Sequence, residues 1–361
     1  MNNLIKNTFK EKISDHLRNL MERVKSEEGI DSKAYKALYN QYVYSPDEEI
    51  THNEINTKHY EAAIQGDNNL PCGVERLYKR QLVIDLTMVC SSHCRYCLRQ
   101  NYSIKQFTRS DIDKVVKYCR QDEYLKELLI TGGDPFMVPQ LLMNLISELV
   151  KKAPNIKIIR IGTRLPVQDP DRFDEELYSF FDSYRRAVIF EVGIQINHKI
   201  EIHEKTVKVI EKLIESGVRV YSQNVLLKGV NDDIDSLVEL YDTLRYLGVE
   251  AHYLFHAIPM KGTTRFRIPI SRALELGREL TSSGRIPGRV KPMLSLMTDV
   301  GKVTLYDGTL GEKDHNGFYD VHTCYSLEER KKWNPDYEMP NSAYIDANGW
   351  ITVKYLDGGE V

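Results

Sequence analysis

No stretch of this 361-residue sequence approaches the eighteen or so consecutive apolar residues that a membrane-spanning helix requires. Its opening segment, MNNLIKNTFKEKISDHL, carries no apolar run of the signal-peptide kind. The expectation is a cytoplasmic chain with no membrane partner. A basic excess is missing as well: the formal net charge of -3 creates no field that would gather phosphate backbones, which argues against a nucleic-acid partner. Cysteine is scarce, with six in the chain, too few for a disulfide scaffold at this length. Neither an internal repeat nor a low-complexity tract is present to suggest a solenoid or a linker.

What is there reads as a globular chain. With 42% hydrophobic and 28% charged residues, the length allows one large α/β barrel or two ordinary domains. Residues 1–75 are rich in charge, with Leu17, Leu20, Met21 and Val24 at helical spacing, and predict an N-terminal helical extension packed on the main domain. Over residues 76–290 the runs QLVIDLTMV, ELLIT, IKIIRIG, AVIFEVGIQI, VRVYSQNVLL and EAHYLF read as strands, mostly followed by amphipathic helices such as QLLMNLISELVKK and EKTVKVIEKLIES. That alternation gives βαβ units and a parallel sheet covered on both faces. Periodicity leaves a barrel and an open doubly wound sheet both standing, and in either the ligands gather at the C-terminal ends of the strands. Residues 291–361 change character: KPMLSLMTDVGKVTLYDG and SAYIDANGWITVKYLDGG hold short strands with Asp-Gly and Asn-Gly turns, a small β-rich C-terminal segment.

Three of the cysteines crowd together. In DLTMVCSSHCRYCLRQ, Cys90, Cys94 and Cys97 stand at C-x3-C-x2-C spacing just past the first strand, whereas Cys72, Cys119 and Cys324 are scattered and read as ordinary thiols. A structural zinc site needs four ligands, and His93 points away from its neighbour Cys94 in an extended loop. An iron-sulfur cubane on three cysteines instead keeps one iron open to a substrate or cofactor.

This loop resembles the signature of the radical S-adenosylmethionine (SAM) superfamily, including the aromatic Tyr96 before the last cysteine. The resemblance implies a [4Fe-4S] cluster on Cys90, Cys94 and Cys97, SAM on the open iron, and a 5'-deoxyadenosyl radical that removes a hydrogen atom from the substrate. It also implies an electron donor such as flavodoxin or ferredoxin as a partner. Further along, TGGDPF, IRIGTRLPV, INH, SQNVLLKGVND and RFRIPIS occur in the order seen in the lysine 2,3-aminomutase family. That likeness implies a partial (β/α)6-type parallel barrel. It assigns Gly132, Gly133 and Asp134 to the methionine part of SAM, Tyr96, Arg164, Gln195 and Gln223 to the SAM side of the pocket, and Arg99 to the substrate carboxylate, which suits a planar guanidinium.

The sequence also departs from that family. Its aminomutases carry pyridoxal 5'-phosphate (PLP) on a lysine after a glycine-rich run, and here only Gly301 precedes Lys302. Two alignments compete: Lys302 is the PLP lysine on a shortened loop, or GKVTLYDG is an ordinary strand and the PLP loop is gone. Arg76 and Arg80 fall near the family arginines that contact PLP, and Asp299 near a family aspartate. Gln195 stands where the family has histidine. Ile258 replaces the aspartate that pairs with the distal ammonium of lysine, so L-lysine is not the expected substrate. Of the two histidines flanking the sixth strand, His256 lies nearer the C-terminal end than His252 and is the one expected in the pocket. The combined expectation is a radical SAM enzyme acting on a small amino acid or related carboxylate, by an aminomutase-like 1,2-amino shift. The alternative is a PLP-independent dehydrogenation, epimerisation or rearrangement. A homo-oligomer is left open.

Overall fold

The computed structural model describes residues 10–50, 70–101 and 107–359, so parts of the N-terminal extension, at 1–9 and 51–69, lie outside the described residues. Nine strands form one sheet in sequence order, curled as a half-barrel. Seven are parallel: β2 (Gln81–Thr87), β3 (Glu127–Gly132), β4 (Ile158–Thr163), β5 (Ile189–Ile194), β6 (Arg219–Leu226), β7 (Glu250–His256) and β8 (Met293–Thr298). The two edges are antiparallel, with β1 (Val74–Glu75) beside β2 and β9 (Gly301–Thr304) beside β8.

Alternation decides which way each strand faces. Leu82, Ile84, Leu128, Ile130, Ile159, Ile161, Phe190 and Val192 are buried in one continuous core beneath the covering helices. Each contributes roughly 1.5–3 kcal/mol, so the intervening residues are turned toward the hollow side of the sheet. The helices follow from the same patterning. That over Ile234–Tyr246 starts at an Asp233 cap, whose carboxylate accepts from the Ser236 amide, and buries Leu237, Leu240, Tyr241 and Leu244.

The main sheet runs past residue 290. The sequence assigns PMLSLMT and GKVT to the C-terminal segment, but β8 pairs in parallel with β7, Tyr253 opposite Met293, after the crossover helix Ile270–Ser282. Only the later strands β10 (Leu310–Lys313), β11 (Phe318–His322), β12 (Ala343–Ile345) and β13 (Ile351–Leu356) form a separate antiparallel sheet, in the order β10-β11-β13-β12. Its apolar face (Val321, Ile351, Val353 and Tyr355) shares a core with Leu296, Val300 and Val303.

The N-terminal extension covers the cysteine loop. Helices α1 (Asp15–Glu28) and α2 (Lys33–Tyr42) pack their apolar stripes together and against Cys94 and Ile200. Backbone bonds then join the extension to the loop: the His93 amide donates to Lys12 O (2.8 Å) and the Arg95 amide to Gln41 O (2.8 Å), while Lys12 Nζ donates to Cys90 O (2.6 Å). The buried Arg95 is held by Glu48, its Nε donating to Oε1 at 3.0 Å. Among the described residues no helix is long and apolar enough to cross a membrane.

Gln41 is fully buried, and its side chain meets Arg164, Asn197 and Glu201 across the junction. Gln41→Leu keeps the bulk and strips those partners, so it is expected to cost about 1–3 kcal/mol. Urea unfolding followed by circular dichroism reads this directly, and an unchanged midpoint would mean that the extension is not anchored there.

Candidate active site

The three cysteines leave the end of β2 on one loop, each partly buried. Burial pushes the Cys90 thiol up, and the neighbouring Cys97, Asp134 and Cys94 push it further, so the three sulfurs feel one another. No three His, Cys, Asp or Glu side chains among the described residues converge as a single metal ion requires. A cubane places no such demand, because each thiolate takes a different iron, and three cysteines on one short loop match it better than zinc.

Behind the loop stands the Gly132-Gly133-Asp134 turn at the end of β3. Gly132 has φ of +115°, and a Cβ there would lie 2.3 Å from Thr87 O; one on Gly133 would lie 2.5 Å from Val89 O. The Gly133 amide donates to Thr87 O (2.5 Å) and the Asp134 amide to Val89 O (2.9 Å). The glycines thus let two backbones touch, and these amides seat the cysteine loop. The Asp134 carboxylate itself is turned into the fold. It accepts from Thr163 Oγ1 (2.8 Å) and from the amides of Phe136 (3.1 Å), Arg164 (2.8 Å) and Leu165 (3.0 Å). Burial pushes it up to about 6 against the pull of those donors, and it serves to tie the end of β3 to that of β4.

Arg164 follows β4 and lies beneath Cys94, not on the open face. Its Nη1 donates to Cys94 Sγ (2.9 Å) and to the Tyr96 hydroxyl, and its Nη2 to Gln41 Oε1 (2.6 Å) and Glu201 Oε2. Gln168 Nε2 donates to the same sulfur at 3.3 Å. The Tyr96 ring is buried edge-on against Phe266, with its hydroxyl donating to Gln195 Oε1 (3.2 Å) and accepting from Asn197 Nδ2 (2.6 Å). Tyr96, Arg164 and Gln195 are therefore brought together as one network behind the loop.

The hollow face of the barrel carries charge. Arg160 Nε lies 3.2 Å from Glu191 Oε2 and donates to the Tyr221 hydroxyl, whose ring fills the space left by Gly193. Sequence reasoning passed over Arg160, although a charged residue inside IIRIG signals a strand with one polar face. Gln223 sits on this face opposite Tyr253, since its neighbour Asn224 is turned outward to the Tyr241 hydroxyl. Lys302 pairs with Met297 across β8–β9 and lays its ammonium over the rings of Tyr253 (5.3 Å) and Phe255 (5.6 Å). Burial and Arg160 lower it to about 8. Its backbone is clamped by two tyrosines: its amide donates to Tyr78 OH (2.9 Å), and Tyr325 OH donates to its carbonyl (2.7 Å).

Several expectations change. Arg99 does not present an open fork for a carboxylate: Asp85 pairs with it directly and Glu75 lies 3.8 Å away. Burial and Asp85 push Glu75 up, so it keeps a proton beside its neighbour. Arg76, just past the end of β1, faces away from the hollow, donating to Asp122 (2.6 Å) and Tyr118 (2.8 Å), whereas Glu75 turns toward Arg99. Arg80 is exposed on the approach to β2. Asp299 accepts from Ser342 (2.5 Å) in the C-terminal segment. His256 is a structural bridge between Tyr355 OH (3.0 Å) and Ile268 O (2.7 Å). His252 is the one near Lys302 and Tyr221, since an extra residue in β7 between the partners of Ser222 and Gln223 turns it inward, and burial lowers it to about 4.

The model of the radical SAM superfamily matches residues 84–241. A protein of Aquifex aeolicus (strain VF5), provisionally named L-lysine 2,3-aminomutase, is 31% identical over 71% of this chain and 70% of its own length. The L-lysine 2,3-aminomutase of Bacillus subtilis (strain 168) is 30% identical over 58% of this chain and 44% of its own length. The glutamate 2,3-aminomutase of Clostridioides difficile (strain 630) is 30% identical over 60% and 52%.

Gly133→Ala drives a methyl group into the backbone at Met88 and Val89. The expected result is a folded protein, by circular dichroism, that takes up well under half of the wild-type iron and sulfide on anaerobic reconstitution. Full uptake would show that this turn does not set the cysteine loop.

Proposed function

Since the chain belongs to the lysine 2,3-aminomutase family of the radical SAM superfamily, we propose that it shifts an amino group between adjacent carbons of a small amino acid other than lysine. Family membership makes it an enzyme with a [4Fe-4S] cluster and SAM, and Cys90, Cys94 and Cys97 are the residues to hold the cluster. When bound, the two together supply a carbon radical that takes a hydrogen atom from substrate. The remaining SAM-side roles fall to backbone at Gly132 and Gly133, to Gln223 on the hollow face, and to Tyr96 and Gln195 through their shared hydrogen bond.

The observation that carries the amino-shift reading is Lys302: an amine on the hollow face, packed on two aromatic rings and poised near pH 8, is nucleophilic toward an aldehyde. It is the residue to hold PLP, which when bound stabilises charge or an unpaired electron next to nitrogen. A second reading, without PLP, is favoured by Arg76, whose guanidinium is engaged behind the barrel and not near Lys302. Ile258, packed with Met260, Leu98 and Met297, bears on substrate in both readings. A distal ammonium against that cluster would lose hydration with no counter-charge. The relative named glutamate 2,3-aminomutase is a precedent for a substrate lacking that group.

Two outcomes are expected. Anaerobically reduced protein with SAM should interconvert α- and β-amino acids, leaving L-lysine unchanged, and Cys94→Ala should abolish SAM cleavage. Borohydride added after PLP should label Lys302 covalently, with the yield rising as pH passes 8, because only the neutral amine attacks. No label, together with one deoxyadenosine released per turnover, would overturn the amino shift in favour of the second reading.

A further inference from the structure

We infer that Arg164 and Gln168 set the reduction potential of the cluster by donating hydrogen bonds to a single ligand sulfur, Cys94 Sγ. The inference rests on the reading of Cys94 as a cluster ligand and goes beyond it. Two side-chain donors converge on this sulfur, Arg164 Nη1 at 2.9 Å and Gln168 Nε2 at 3.3 Å. The cation that the extension brings to the loop, Lys12, donates to the backbone carbonyl of Cys90 and not to a sulfur. Reduction adds an electron that spreads over the ligand sulfurs, so a donor fixed on one of them stabilises the reduced form more than the oxidised form and raises the potential.

The donors are fixed in place. Arg164 is buried between the Tyr42 and Tyr96 rings, its guanidinium carbon 4.8 Å and 5.3 Å from their centroids, and its Nη2 is held by Gln41 and Glu201. Gln168 is buried as well. Its Oε1 accepts from Ser91 Oγ at 3.1 Å, which turns Nε2 toward the sulfur. Glu201 offsets the charge of Arg164 as seen from a distance, so what reaches the cluster is the short, directional contact. The anchoring groups come partly from the N-terminal extension, Gln41 for Arg164 and Ser14, whose hydroxyl donates to Gln168 O. Both are positioning residues, acting through Cys94.

The test is an EPR-monitored redox titration of reconstituted protein. Gln168→Leu is expected to bind a full cluster and to lower the reduced-to-oxidised ratio at a fixed potential about tenfold, a midpoint lower by about 59 mV for one electron. Gln168→Glu puts an acceptor where the donor was and should shift the midpoint the same way and further. Arg164→Lys should lie between wild type and Gln168→Leu if it folds. Midpoints unchanged in both Gln168 variants, with iron content intact, overturn the inference. A wild-type protein that takes up no iron and sulfide fails the cluster reading itself, and is told apart by that analysis alone.

Discussion

The mouth of the barrel hangs on two backbone hydrogen bonds, from the amides of Gly133 and Asp134 to Thr87 O and Val89 O. They exist because positions 132 and 133 have no Cβ: with one, the chains would have to separate by about an ångström to restore ordinary contact. The same turn presents the Asp134 carboxylate to Thr163 and to three amides. One short segment therefore positions the cysteine loop after β2 and the Arg164 turn after β4 against each other. A shift there moves both.

That constraint explains why so much charge is buried behind the cysteines. A guanidinium such as that of Arg164 is costly to desolvate unless most of its donors are met. Here four contacts meet its two terminal nitrogens, a sulfur and a hydroxyl from the cysteine loop, an amide from α2 and a carboxylate beyond β5, with only Nε unmet. Glu201 is satisfied in turn by the Asn197 and His198 amides, each at 2.9 Å. Such a network is strong when complete and weak when any member is lost. The N-terminal extension supplies Gln41 and the Tyr42 ring, so it completes the buried network behind the cysteines from outside the barrel.

How much of this could be read from the sequence depended on whether the signal was local. The cysteine spacing, the strand alternation up to β7 and the double glycine were legible because each is a short-range pattern with a short-range cause. The partners of Arg164 were not: Gln41 lies 123 residues away and Cys94 lies 70 away, and no spacing rule reaches so far. His256 was favoured for its place nearer the strand end, but a bulge inserts one residue into β7 and turns His252 to the hollow instead. At β8 and β9 turn dipeptides suggested a separate segment, although the strands pair with the barrel edge. Arg76, placed near the PLP contacts by resemblance alone, follows the two-residue β1 and turns to Asp122 and Tyr118, partners 46 and 42 residues away.

The hollow face holds Glu75, Asp85, Arg99, Arg160, Glu191 and Lys302, and their pairing decides what can enter. Asp85 answers Arg99 and Glu191 answers Arg160 at direct contact. Glu75 keeps its proton because a second carboxylate beside Asp85 would face a single guanidinium already engaged. Lys302 is then the one cation of the six with no carboxylate partner among the described residues, and the aromatic rings beneath it only partly replace water. A hollow so arranged favours either an incoming anion or loss of the lysine proton, and burial already inclines Lys302 to the second. Ile258 adds no counter-charge of its own, being packed among Met260, Leu98 and Met297.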